Sequence, residues 1–404
     1  MNVSNILLRI GARWKNVLLK IFPYSLLRRI KGRMIKKSFA YLESAEIEPF
    51  SREKYTDGIN LIGNIRAETG LGQSCRLVAD ELEASGIPYS IYPYEQLGSM
   101  QEGNYEKYNS KICDQLPYNV NLIHINPHEL GLVFQQNREK IWNGRYNIGF
   151  WLWELEEFPD EWTPCFRCVD EIWTPSEFIS RAVRKKTDKP VITIPYHVEA
   201  VPGDFTRGDF GLPEDLFLFL MMYDKNSMTE RKNPMAVIAA YKKAFRPDEP
   251  AGLVIKCGSC DAQELEALRS ELAGYEHIYF VTETLSREKV NSLISLVDVA
   301  VSLHRAEGFG LVMAEAMFMG TPVIATNWSS NTEFMTPETA CMVGYRMVQL
   351  KQDYGVFKKG NWWADPDVDE AAGYMRRLYE EPERYKKLAA GGKAYIGSAV
   401  SMEQ

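Results

Sequence analysis

The stretch from Val301 to Phe334 reads VSLHRAEGFGLVMAEAMFMGTPVIATNWSSNTEF. A short strand-like run ends at Leu303, a glycine-bearing loop follows, an apolar helical pattern runs from Leu311 to Met319, Gly320 stops it, and Pro322–Thr326 reads as the next strand. Strand, loop, helix and strand in that order form the repeating unit of a parallel α/β sheet. The amides of Phe309, Gly310 and Leu311 fall at the positive end of the helix, where no intrahelical acceptor reaches them, and such an end holds phosphate. Glu307 sits in the loop and Glu315 on the second turn, with seven residues between them. A loop carboxylate beside a phosphate can take sugar hydroxyls, and one a turn and a half along can reach a ribose.

Outward from this stretch the same alternation fills most of the 404 residues. Before it, Gly58–Ile65, Tyr89–Tyr92, Val120–Ile125, Tyr146–Leu152, Glu171–Thr174 and Val191–Pro195 read as strands. Gln73–Ser85 reads as a helix closed by Gly86, and Ser176 is placed to cap another. Residues 198–213 are rich in Pro and Gly, as a linker is. A second series follows: strands at Leu216–Met222, Gly252–Cys257, His277–Val281 and Val299–Leu303, with helices at Pro234–Phe245, Ala262–Leu272 and Ser286–Leu296. The pattern predicts two α/β lobes with a cleft between them. The expected divisions are 1–45 as a basic helical extension, 46–200 and 201–366 as the two lobes, and 367–404 as closing helices.

The pair Glu307 and Glu315 around Gly308-Phe309-Gly310 resembles the Glu-x7-Glu signature of family 4 glycosyltransferases, which have the GT-B fold of two Rossmann-like lobes. The resemblance implies that Glu307 contacts the transferred sugar, Glu315 the nucleoside ribose, and the amides of Gly308 to Leu311 the diphosphate. After the first strand of the second lobe, YDKNSMTERKNP is similar to the family's basic pair, which makes Arg231 and Lys232 the cations on the diphosphate. A departing nucleoside diphosphate accumulates negative charge, and in this family no obligatory metal neutralises it. Asp224 stands where many members carry a further Arg. His304 and Arg305 are expected to line the same pocket, with Lys256 a weaker candidate. The resemblance further implies a retaining transfer of a mannose- or glucose-type hexose, from a GDP- or UDP-linked donor, with no cofactor. It also allows the closing helices to cross back to the first lobe.

The first lobe matches less tightly. Thr69-Gly70-Leu71-Gly72-Gln73 lies between a strand and a helix, and Gly70 and Gly72 are read as donor-binding because a bare backbone can approach a ligand. The same loop resembles a damaged dinucleotide fingerprint, with Cys75 in place of the third glycine and Glu95 near the place of the ribose acid, a weak match. The family's histidine at a strand end has no clear equivalent in LIHINPHELG; Asn126 occupies the position, and Asn126 and His128 stand as candidates, with His124 nearby. WLWELEEFPDEW and EIWTPSEF resemble a bacterial polysaccharide and O-antigen subgroup, so Trp151, Trp153 and Glu154 are read as acceptor-binding. Trp162 could stack in the same way, although large aromatics usually belong to the core.

Charge adds a second theme. The net charge of −7 divides into ten basic and no acidic side chains in residues 1–42, against 37 basic and 54 acidic side chains after them. Ile6, Leu7, Ile10, Trp14, Val17, Leu18, Ile21 and Phe22 share one helical face opposite Arg9, Arg13 and Lys20, and beyond Pro23 a second basic stretch follows. Such a helix suits an anionic membrane surface, and it equally suits packing on the body with a solvated basic side. Nucleic acid is disfavoured by the acidic remainder. These features predict a protein on the cytoplasmic face of the cell membrane, where the family resemblance implies a lipid-linked saccharide acceptor. No signal peptide or spanning segment is read.

Seven cysteines suit a reducing compartment. Cys165/Cys168 and Cys257/Cys260 have Cys-x-x-Cys spacing, and they read as buried thiols rather than as one zinc site. No serine-hydrolase, zincin or Walker pattern appears, and Asp365-x-Asp367 reads as a solvated late loop rather than a metal pair. Two other readings stay open: a GT-B nucleotide-sugar epimerase and a noncatalytic sugar-nucleotide-binding subunit.

Overall fold

The computed structural model describes residues 24–94 and 103–399. The apolar face from Ile6 to Phe22 and Glu95 lie outside the described residues. The chain forms two compact units. One runs to Leu152 and adds Glu157–Pro175 and Ser180–Tyr196; the other comprises Trp153–Glu156, Ser176–Ile179 and the chain from His197 onward.

Up to Tyr196 the elements are α1 (Tyr24–Ser44), β1 (Thr56–Gly63), α2 (Gly70–Ser85), β2 (Tyr89–Pro93), β3 (Tyr118–His124), α3 (Pro127–Ile141), β4 (Tyr146–Phe150), β5 (Glu171–Thr174), α4 (Glu177–Arg184) and β6 (Val191–Thr193). The six strands pair in parallel in the order β2-β1-β3-β4-β5-β6. A polar ladder crosses this sheet. Ser90, Asn60, Asn121 and Asn147 are register partners on β2, β1, β3 and β4. Asn60 Nδ2 donates to Asn121 Oδ1 at 2.9 Å, Asn121 Nδ2 to Asn147 Oδ1 at 2.8 Å, and Ser90 Oγ to Asn60 Oδ1 at 3.3 Å. All four residues are buried, so the ladder satisfies groups that would otherwise be costly to desolvate, and a slip of one residue would break every rung.

The second basic stretch packs on the body. Ser38, Phe39 and Leu42 of α1 are buried against α3, where a side chain at Gly131 would meet Phe39 at 2.8 Å, while Arg33, Lys36 and Lys37 stay exposed. Close approach of the two helices therefore depends on a missing Cβ at Gly131.

From His197 the chain continues through β7 (Phe217–Asp224), α5 (Thr229–Lys232), α6 (Pro234–Ala244), β8 (Ala251–Gly258), α7 (Ala262–Glu271), β9 (Ile278–Val281), α8 (Arg287–Leu296), β10 (Val299–Ser302), α9 (Leu311–Met319), β11 (Val323–Thr326), β12 (Cys341–Val343), β13 (Tyr345–Gln349), β14 (Trp362–Pro366), α10 (Val368–Glu380) and α11 (Pro382–Ala399). Six parallel strands take the order β12-β11-β10-β7-β8-β9, and β13 with β14 forms a separate antiparallel hairpin. The core gathers Phe219, Met221, Ile255, Val301 and Ile324 from the strands with Tyr241, Met375 and Leu378 from α6 and α10. α10 lies on α6, and α11 on α9 and α10, all within the second unit.

Three expectations need correction. Residues 127–141, left without an element, form α3, started by Pro127 at its first turn. Asp365 is not in a loop: it belongs to β14, is half-buried and pairs with Arg305 and Arg346, while Asp367 is exposed and caps α10 through the amides of Asp369 and Glu370. Cys257 and Cys260 stand as a pair with their Cα atoms 5.8 Å apart, across a turn in which Ser259 has φ 57°, whereas Cys165 and Cys168 are buried thiols.

Replacing Asn121 with Leu keeps the branched shape but leaves Asn147 Oδ1 and the Ile141 carbonyl without this donor. We expect a loss of about 2 kcal/mol in unfolding free energy, read from urea titration of the full chain.

Candidate active site

Three loops of the second unit converge. β7 ends at Asp224, whose carboxylate accepts from the Asn226 amide and starts a tight turn. The chain then enters the single turn α5 through Met228, at φ 73° and ψ 106°, and leaves it through Asn233, at φ 56° and ψ 51°. Asn tolerates the left-handed region, and Asn233 also donates from Nδ2 to the Leu303 carbonyl at 3.0 Å. These two reversals present Arg231 and Lys232 together.

The second loop follows β10. Arg305 donates its amide to the Arg231 carbonyl at 2.8 Å, and Arg231 Nη1 returns a bond to the Ala306 carbonyl at 2.8 Å. The third follows β11: Ser329 Oγ accepts from the Glu307 amide at 2.9 Å, and Thr326 donates to the His304 carbonyl at 2.7 Å. Glu307 is thereby held against both cations. Its Oε1 is bonded to Lys232 Nζ, and its Oε2 lies 3.4 Å from Arg231 Nη1. Glu154 Oε1 stands 3.8 Å from Arg231 Nη2.

Burial would raise the Glu307 carboxyl, yet Lys232 and Arg231 outweigh it and hold the group down at about 2. Burial lowers Lys232 against the opposing pull of Glu307. Burial likewise depresses His304 to about 4, so this enclosed imidazole is neutral at pH 7.

Gly310, at φ 103°, precedes α9, and a Cβ there would stand 2.5 Å from Met313 Cε. Only glycine fits. The helix end faces no capping side chain from Gly310 itself. Gly308 gives its carbonyl to Ser176 Oγ at 3.3 Å, Phe309 packs on Phe334, and Leu311 begins the helix. Glu315 is buried and ion-paired with Arg287 on α8. Lys256 is buried within β8.

Other expected site residues are placed differently. Trp151 is enclosed by Phe158 and Phe166, and Trp153 stacks on Phe357. Both are fully buried, so neither ring offers a face to an acceptor, and Trp162 is equally enclosed. Glu154, read as acceptor-binding, is a neighbour of Arg231. Asn126 Oδ1 accepts from the Leu152 amide at 2.8 Å, which holds the end of β4, and His128 lies against Trp162 and Glu129. His124 is buried, bonded to Ser74 at 2.6 Å and stacked on Phe150. Gly72 is a packing glycine, since a Cβ would fall 1.9 Å from the Ala67 carbonyl oxygen; Gly70 has open space around it. Ser329, Arg287 and the hairpin carboxylate Asp365 belong to this surround and carry no motif in the sequence.

Residues 204–395 match the family described as glycosyl transferases group 1. That segment is similar to group 1 glycosyltransferase domains. An MMP alpha-(1->4)-mannosyltransferase of Mycolicibacterium hassiacum is 29% identical over 128 residues, 32% of this chain and 26% of that protein, so the match spans about a quarter of the relative's length. Among solved structures, the sucrose-phosphate synthase of Thermosynechococcus elongatus shares the fold with a TM-score of 0.61 at 18% identity, covering 88% of this chain and 96% of that one. HepE of Anabaena, solved with UDP and glucose, gives 0.58 at 14% identity, covering 85% and 96%. These likenesses show the GT-B fold.

The depressed carboxyl has a measurable consequence. A group held at about 2 against its ordinary 4.5 contributes stability that is complete above pH 4.5 and is lost as pH falls towards 2. Urea midpoints of the wild type should decline across that window, whereas those of Glu307→Gln should fall less steeply there. At pH 7 the variant should be less stable by about 3 kcal/mol, because two buried cations lose their carboxylate.

Proposed function

We propose that the chain is a retaining, metal-independent hexosyltransferase of the family 4 type, moving a mannose- or glucose-like sugar from a GDP- or UDP-linked donor. The observation that carries this reading is the buried carboxylate of Glu307 between Lys232 and Arg231, immediately before the N-terminus of α9. Glu307 takes hydroxyls of the sugar, Arg231 and Lys232 neutralise the diphosphate, and the first amides of α9 complete its cradle. The bond from the anomeric carbon to the diphosphate oxygen breaks while a bond to the acceptor hydroxyl forms on the same face, and the hydroxyl proton passes to that diphosphate oxygen. No protein nucleophile is required. The mannosyltransferase relative and the UDP and glucose held by HepE support this donor class.

The acceptor in this reading is a lipid-linked oligosaccharide of bacterial surface polysaccharide or lipopolysaccharide synthesis, met at the inner face of the cell membrane. The basic segment 1–42 supports it. Among the described residues no helix is long and apolar enough to cross a membrane, and the exposed Arg33, Lys36 and Lys37 of α1 leave a cationic strip beside its packed face.

Nucleotide release from GDP- and UDP-hexoses, with acceptor lipid extract present, tests the chemistry. Glu307→Ala and Lys232→Ala should each fall by at least about 100-fold. Near-normal release in both would remove the case for this site, and donor conversion without acceptor would replace transfer by epimerisation. For the membrane, deletion of residues 1–23, which spares the packed part of α1, should weaken co-sedimentation with phosphatidylglycerol vesicles at least about tenfold, and little binding to neutral vesicles is expected from either form; undiminished binding would end that part of the reading.

A further inference from the structure

Two Cys-x-x-Cys pairs share a spacing and are placed differently. Cys165 and Cys168 are both enclosed, and Cys168 Sγ donates to the Cys165 carbonyl at 3.2 Å. Cys257 is buried near the end of β8, while Cys260 is half-buried beside the exposed Ser259. Ser259 takes the left-handed region, at φ 57°, and its turn leaves the Cα atoms of Cys257 and Cys260 5.8 Å apart, a separation that a disulfide spans. Among the described residues, no group of three or more Cys, His, Asp or Glu is placed to hold a metal ion.

This turn is bonded to the loop that carries the cations. β7 and β8 are register partners to their ends, so Asp224 lies beside Gly258. Ser259 Oγ donates to Asp224 Oδ2 at 3.1 Å, and Oδ1 of the same carboxylate accepts from the Asn226 amide at 2.7 Å. The contact has no slack, since a Cβ at Gly258 would stand 2.7 Å from Asp224 Oδ2. A second route runs through Tyr223. Its hydroxyl lies 3.6 Å from Cys260 Sγ and donates to Glu264 Oε1 at 3.0 Å, and Thr229 of α5 donates to that same oxygen at 2.8 Å. Arg231 and Lys232 follow on α5.

We propose that Cys257 and Cys260 form a reversible thiol–disulfide site that sets the order of residues 224–232. The Cys260 thiolate attacks one sulfur of a small disulfide of the glutathione class, which releases one small thiolate and leaves a mixed disulfide. The Cys257 thiolate then attacks the Cys260 sulfur, releases the second small thiolate and closes the pair. The two protons of the protein thiols pass to the released thiolates; the pair gives up two electrons and the small disulfide gains them. A dithiol reverses both steps. In a reducing compartment such a pair is a switch rather than a staple. Closed, the short ring keeps Ser259 in a region that residues other than glycine seldom occupy, with its hydroxyl on Asp224; open, the turn relaxes and Asp224 loses that donor. On the donor-site reading above, the closed form holds the cations better and binds nucleoside diphosphate more tightly.

The full-length protein is equilibrated in glutathione buffers from reduced to oxidised, then acid-quenched, denatured, alkylated and mapped. Cys257 and Cys260 should become protected together, and dithiothreitol should restore both; failure of either result overturns the proposal. Hydrogen–deuterium exchange then reads the loop without nucleotide. Amides of residues 225–232 should exchange at least about threefold faster in the reduced protein, and equal exchange in the two states overturns the proposal. Cys260→Ser should exchange at the reduced rate in both buffers, and a redox effect that persists in it overturns the assignment to this pair; Cys257→Ala carries the same comparison where Cys260→Ser does not fold. Calorimetric titration with GDP and UDP should give about fivefold tighter binding to the oxidised protein, the worth of one hydrogen bond, and equal affinity in the two states overturns the coupling. Binding of neither nucleotide overturns the donor-site reading alone, because alkylation and exchange report on the cysteine pair and its loop without it.

Discussion

The carboxylate of Glu307 lies buried against the ammonium of Lys232 and the guanidinium of Arg231, and the loops around it are arranged to keep it there. Taking three charged groups out of water costs several kcal/mol per ion unless each finds partners. Here they do. The guanidinium spends its remaining donors on the carbonyls of Ala306 and Ser227, and the Glu307 amide is met by Ser329. The cations are thus held in place, and on the proposed reading an incoming diphosphate would meet fixed dipoles and charges with little left to reorganise.

That arrangement reaches outward through Arg305. Its backbone joins the Arg231 carbonyl on one side and the Ala364 amide of β14 on the other. Its side chain bonds the Glu230 carbonyl and Asp365 and lies over the Trp363 ring. The hairpin of β13 and β14 is therefore not a decoration on the sheet. It braces the loop that carries Glu307, and Asp365 holds the Arg305 side chain on the hairpin.

The sequence exposed the sheets well, because long runs such as Phe217–Asp224 and Ala251–Gly258 are apolar throughout, as strands buried on both faces must be. It exposed the charged centre too, since glycines and a carboxylate between a strand and a helix have few other uses. What it concealed has physical reasons. β12 is three residues long, and β13 is a surface strand with little apolar alternation, so neither carries a period to read. Trp151 and Trp153 look like sugar platforms in a linear string, but tryptophan's large apolar surface is usually claimed by a core, as the surrounding Phe158, Phe166 and Phe357 do here. The partnership of Arg287 with Glu315 joins two helices and leaves no mark on either one's spacing.

Backbone strain shows where the fold has been bent to serve the site. Among the described residues, five that are not glycine have positive φ, and three of these, Met228, Asn233 and Ser329, flank the Glu307 cluster. Asn233 is suited to its place. Met228, at ψ 106°, and Ser329, at ψ −154°, are not, and such conformations cost of order 1–3 kcal/mol each. Glycine at either position would relieve that cost but would lose what the side chain does: Ser329 Oγ receives the Glu307 amide, and the Met228 side chain reaches Gly355 in the hairpin loop. The strain is therefore sustained by contacts that hold the carboxylate and its cations in register. The apolar core beneath β7, β10 and β11 is the source of stability that allows it.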